Sequence, residues 1–176
     1  MRYACTVGVV TWLSLTGCAA DGMDADAAAA RLAAVPGRDV ATTALGVPTS
    51  RHAFMLRESA LERPLRALVR DSVEWRTLWR EISGDATTAD AELSVPPVDF
   101  ARESLIVVAL GPSSPMGDWT PAILGAKLRG DTLIVVSRAV RRDCTLNDSS
   151  DSPVAFARVP SHGGPVAIVE DTVDVC

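Results

Sequence analysis

One stretch of this sequence carries a helical period, and most of the chain beyond it reads at strand length. In DSVEWRTLWREISG the large apolar residues are Trp75, Leu78, Trp79 and Ile82, the i, i+3, i+4, i+7 spacing of one helical face. Asp71 stands three residues before Glu74, a capping-box start with Asp in place of Ser or Thr, and Gly84 closes the segment. Two tryptophans on one stripe represent a large apolar area, so this helix has to lie on an apolar surface. Downstream, Leu105 to Leu110 is a continuous apolar run with the length and β-branching of a strand covered on both faces. TPAILGAKLRGDTLIVVSRAV reads as two strands joined at Arg129-Gly130-Asp131, with Gly130 supplying the positive φ of a tight hairpin. VAFARVP and PVAIVE come next as strand candidates, and DTVDVC ends the chain. Upstream of the helix, Arg51 to Ser59 and Arg63 to Asp71 read as two more strands. One helix and about six short strands describe an α+β fold, a mainly antiparallel β-sheet packed against one amphipathic helix.

The amino terminus says where such a domain is placed. Met1-Arg2-Tyr3 precedes ACTVGVVTWLSLTG, an almost uncharged run shorter than the ~20 apolar residues of a membrane-spanning helix. It ends in Leu15-Thr16-Gly17-Cys18, small residues before a cysteine, as in a bacterial lipoprotein signal. The expectation is a signal peptide over 1–17, diacylglycerol on the Cys18 thiol and an acyl chain on its new amino group. Two or more acyl chains anchor a protein stably where one does not. Residues 18–48, rich in Ala and Asp, are expected to be a flexible tether, with a short helix across DADAAAARLAAV compatible with their composition; residues 49–176 form the globular domain. Ala19 in place of aspartate after the cysteine favours the outer membrane, facing the periplasm or the surface.

Of the four cysteines, Cys5 leaves with the signal and Cys18 takes the lipid, so Cys144 and Cys176 remain as an expected disulfide in an oxidising compartment. Two cysteines without a nearby histidine lack the ligands of tetrahedral zinc, and no metal or cofactor is expected. The chain has 17 Lys+Arg against 22 Asp+Glu, a net charge of −5. A mildly acidic domain with no basic stripe has no electrostatic reason to bind nucleic acid.

A search for chemistry returns little. The two histidines are His52, in an expected strand, and His162, beside two glycines in a turn. A hydrolase using His162 or His52 with a serine and an aspartate is an alternative, without the G-x-S-x-G elbow that would support it. Asp171 with Asp174, or Asp148 with Asp151, offer paired acids, but NDSSDS lacks the central glycine and terminal glutamate of a calcium loop. RGD at Arg129 to Asp131 falls where a hairpin turn belongs. The remaining candidate is the loop GPSSPMGDW, with Gly111, Ser113, Ser114, Gly117, Asp118 and Trp119 as a binding surface beside the RRDCTLNDSS loop. An aromatic at the mouth of a Gly/Pro/Ser loop offers large area with few torsions to freeze. The competing reading turns Trp119 inward, closing the sheet edge against the helix tryptophans. A small-molecule or glycan site using Trp119 as a stacking surface is a further alternative.

DSVEWRTLW, PPVDFARESLIVVALG, PMGDWTPAI and GDTLIVV, in this order, resemble the PrcB-like domain, named for a lipoprotein subunit of a surface protease complex. The resemblance spans Val69 to Glu170 and departs at the loop, where the family commonly has two glycines before tyrosine and this chain has Asp118-Trp119 after the single Gly117. It implies an extracytoplasmic, lipid-anchored module, without catalytic residues, that supports an envelope protein partner, a protease among them.

Overall fold

A computed structural model of the chain describes residues 19–45, 59–84, 95–112, 119–141 and 152–174. Its elements are α1 (Ala19–Ala34), β1 (Arg38–Val40), β2 (Thr43–Ala44), β3 (Leu65–Val69), α2 (Ser72–Ser83), β4 (Glu103–Ala109), β5 (Trp119–Arg129), β6 (Thr132–Arg141), β7 (Val154–Pro160) and β8 (Val166–Asp174). The class is α+β, as expected, but the expected single sheet of about six strands is corrected. Eight strands make two four-stranded sheets, ordered β1-β5-β6-β8 and β2-β7-β4-β3, and there are two helices among the described residues. The expected strand from Arg51 to Ser59 lies outside the described residues, apart from Ser59, which is not in a strand. The last two expected segments merge into one strand, β8, which pairs parallel with β6, whereas the other described pairs are antiparallel.

Helix α2 begins and ends where its sequence dictates. The Asp71 carboxylate accepts the amides of Val73 and Glu74, both at 2.8 Å. The reciprocal bond of a capping box is displaced by one residue, since Glu74 accepts from the amide of Arg70. Its apolar stripe of Trp75, Leu78, Trp79 and Ile82 is buried on the β2-β7-β4-β3 sheet, against Val69, Leu105, Val107, Ala109, Val154 and Phe156. The indoles of Trp75 and Trp79 are 5.2 Å apart, and Phe156 meets Trp75 edge-on at 5.5 Å. The Trp75 Nε1–H, taken out of water, donates to the carbonyl of Pro96 at 2.9 Å.

The alternate residues of the same strands face the other way. Leu68, Ile106, Val108 and Val159 pack with Ala126, Leu133 and Val135 of the second sheet, forming the core between the sheets. Strand β4 is thus buried on both faces, which is why Leu105 to Ala109 contains no polar residue. Beyond the second sheet lies α1, making a layer order of helix, sheet, sheet, helix. Leu32 rests over Gly125, and the buried Arg138 donates to Asp171 and to the carbonyl of Ala27.

Part of the segment expected to be a flexible tether therefore belongs to the fold. After α1, β1 pairs with β5 and β2 with β7, so residues 38–44 give one short strand to each sheet and close that side of the sandwich. Asp39 of β1 also pairs with the buried Lys127 Nζ at 3.1 Å. Alanine-rich composition hides this, because three-residue strands carry too few side chains to show a period. Across the sandwich, Arg66 of edge strand β3 and Glu170 of edge strand β8 join the two sheets through two bonds of 2.7 Å. This planar, two-pronged geometry fixes orientation as well as distance.

Candidate functional site

The topology brings the strand ends that flank both candidate loops to one end of the sandwich. Strand β4 ends beside the start of β7, with Ala109 opposite Val154, and β5 begins beside the end of β6, with Trp119 opposite Arg141. Strand β8 ends at the same place, with Asp174 in register with Arg141. In sequence, residues 113–118 and 142–151 follow Gly111–Pro112 and Arg141 and lie outside the described residues. Ser113, Ser114, Gly117 and Asp118 lie outside the described residues, as do Cys18, Cys144, Cys176, His52 and the NDSSD acids.

Trp119 is half-buried on the sheet opposite the one that α2 covers, so the reading that turned it against Trp75 and Trp79 is corrected. Its partner is the Arg141 guanidinium, 5.5 Å from the ring centroid. Arg141 is itself held by Asp174 through bonds of 2.9 and 2.8 Å. Indole, guanidinium and carboxylate come from three adjacent strands, on the face that looks toward the other sheet. On the same face, Ser137 donates to Glu170 at 3.3 Å, and Glu170 holds Arg66. Arg66 in turn donates to the carbonyls of Leu65 and Ala109, tying the polar row to the last residue of β4.

Gly111 is a structural residue. Its φ is +74°, and a Cβ built there would stand 2.7 Å from the Pro64 nitrogen and 2.8 Å from the Arg63 carbonyl carbon. Backbone atoms cannot swing aside as a side-chain tip does. Gly111→Ala is expected to cost about 2 kcal/mol or more, from left-handed strain plus the clash, read as a lowered denaturant midpoint at unchanged slope.

The other candidates are occupied elsewhere. Asp171 and Asp174, three apart on a strand, point to opposite faces; Asp171 binds Arg138 and lies 3.5 Å from Arg31 of α1, and Asp174 binds Arg141. They do not form an acid pair. His162 is at the far end of the sandwich. Its amide donates to the Ser104 hydroxyl at 3.1 Å, its ring Nε2 lies 3.2 Å from the Pro165 carbonyl, and Arg70 clasps the carbonyls of His162 and Gly164. The RGD tripeptide makes the β5–β6 turn, with Gly130 at φ +62°. Among the described residues there is no cluster of three His, Cys, Asp or Glu side chains fit to hold a metal, and no helix long and apolar enough to cross a membrane.

Arg66, Arg141, Asp174 and Glu170 escape the sequence reading as a group, although a signal is present. Ser137, Arg138 and Arg141 sit 33 residues before Glu170, Asp171 and Asp174, and each pair bonds. A constant offset of complementary groups marks two parallel strands side by side. No protein-family model, curated protein or solved structure matches the chain.

Proposed function

We propose that this chain is a lipid-anchored extracytoplasmic accessory module that binds or stabilises another envelope protein and catalyses nothing itself. The observation that carries the reading is the Trp119–Arg141–Asp174 stack. It fixes an aromatic anchor on rigid strand ends at the point where both candidate loops depart, and such anchors dominate protein recognition because little motion remains to be frozen. The PrcB-like resemblance supports the same class of activity and adds a protease as the kind of partner. Acylation at Cys18 would hold the module at the outer membrane. The hydrolase alternative draws no support from His162, whose amide and ring are both engaged within its own turn and its neighbours.

The experiment is recovery of the chain from its own membranes, as wild type and as Trp119→Ala. Intact mass of the extracted protein should show a cut before Cys18 and added acyl groups. Trp119→Ala is expected to lose the co-purifying protein while costing about 1–2 kcal/mol of stability, the lost cation–π contact plus part of the half-buried ring's apolar area. A partner retained by Trp119→Ala sinks the Trp119 site, and recovery of the chain without any co-purifying protein, or with an unprocessed leader, sinks the reading. Release of the partner by soluble envelope sugars would move the site to the glycan alternative.

A further inference from the structure

We propose that the open edge of β3 and the groove between β3 and α2 receive an extended segment of a partner protein as a fifth strand, carrying lysine or arginine at the alternate positions that face α2. Among the described residues the sheet order leaves β3 at the edge, with β4 on its one paired side. A groove of about 440 Å³ runs beside it, floored by Leu65 and Ala67 of β3 and Leu78 of α2. At its lip stands Val73, 70% exposed, the one large hydrophobic residue so exposed among those described.

Natural edge strands are ordinarily guarded by charges, prolines or bulges that block further pairing. Within Leu65–Val69 the strand itself has no proline, Pro64 standing just before it, and among the described residues nothing pairs with this edge. The charge of Arg66 is turned to the space between the sheets and bound to Glu170, and that of Arg70, just past the strand, is bound to the turn at 162–164. No bulge interrupts the β3–β4 register from Leu65 to Val69. An added strand would place every second side chain in the groove, over Leu65, Ala67 and Leu78. The charged groups lining that groove are Asp71, Glu74 and Glu81, all acidic, with no cation among them. Complementarity therefore selects lysine or arginine at the groove-facing positions, with the aliphatic stem over Leu65, Ala67 and Leu78 and the charge at the acidic rim.

This inference takes its class of ligand from the protein-binding reading but uses a different surface. The test titrates the full chain in detergent with a ten-residue peptide alternating valine and lysine, monitored by anisotropy and amide chemical shifts. Saturable binding is expected, with shifts over Leu65 to Val69 and along the exposed side of α2. Glu81→Lys, an exposed change on α2, should weaken binding roughly tenfold by reversing a rim charge. A peptide with alternate backbone amides methylated, which cannot add as a strand, and a valine/glutamate peptide should both fail to bind. Equal binding of the methylated and unmethylated peptides, equal affinity for Glu81→Lys, or no saturation at millimolar peptide would each overturn the groove. Failure here, with partner capture still lost in Trp119→Ala, leaves the protein-binding reading standing; retention of the partner by Trp119→Ala together with saturable peptide binding sinks the Trp119 site and keeps the groove.

Discussion

Trp79→Ala should remove about 4 kcal/mol of stability and lower the thermal midpoint by roughly 10 °C. Trp79 is fully buried and touches both other aromatic rings of its cluster, with ring centroids at 5.2 Å from Trp75 and 6.2 Å from Phe156. Truncation leaves a cavity walled by Trp75 and Phe156, one from the helix and one from the central strand β7. Neither wall can close it without breaking its own contacts, since Trp75 is fixed by its bond to Pro96 and Phe156 by the β4–β7 register. The full cavity cost therefore applies, and no relaxation discount is expected. Val73→Ala, on the same helix but 70% exposed, is the control and should change stability by less than about 0.5 kcal/mol. Equal melting of the two variants would show that α2 does not cover this sheet.

Cys144→Ser, or reduction of the wild type, is expected to cost about 3 to 4 kcal/mol, the contribution of a bridge closing a loop of roughly 30 residues. Both cysteines lie outside the described residues, so the argument comes from the strands that lead to them. Arg141 and Asp174 are register partners on adjacent parallel strands and are bonded through their side chains. Neighbouring strands run about 4.8 Å apart, and a disulfide needs Cα atoms about 4.4–6.8 Å apart. Cys144 lies three residues beyond Arg141 and Cys176 two beyond Asp174. The expected bridge would begin from strand ends already held side by side. Alkylation of the extracted protein should label neither cysteine without reductant and both with it. Labelling of both without reductant would remove the bridge, and an unchanged midpoint for Cys144→Ser would remove its energetic role.

Legibility in the sequence tracks local periodicity. Helix α2, its Asp71 cap, the doubly covered β4 and the Gly130 hairpin are all readable, because each is specified by residues within one or two turns of chain. The features that escape are set by contacts distant in sequence. The second sheet is not evident, although Leu133 to Val136 repeats the continuous apolar run that reveals β4. Leu133 and Val135 face the inter-sheet core, while Ile134 and Val136 are also buried. A strand apolar on both faces needs two covers, and the alanine-rich segment supplies the second through α1. Local pattern offers Trp119 the wrong partners because loop composition says nothing of which sheet a strand joins. Its actual partner, Arg141, lies 22 residues on and is reached only through the β5–β6 register. Gly111 reads as a recognition residue, and its crowding against Pro64 is a feature no local pattern encodes.

The docking of α1 changes how far this molecule can stray from its anchor. A disordered leash of about 30 residues would let the body roam on the order of 30 Å from the bilayer. Here the helix starts at Ala19, immediately after the proposed acylation point, and Ala27 is already bonded to Arg138 of the body. At about 1.5 Å of rise per helical residue, that fixed contact stands roughly 13 Å along the chain from Cys18. With Cys18 acylated, the folded part is pressed close to the lipid headgroups and held by a stiff post. A partner bound by the folded part of the acylated chain would have to meet it at the membrane surface.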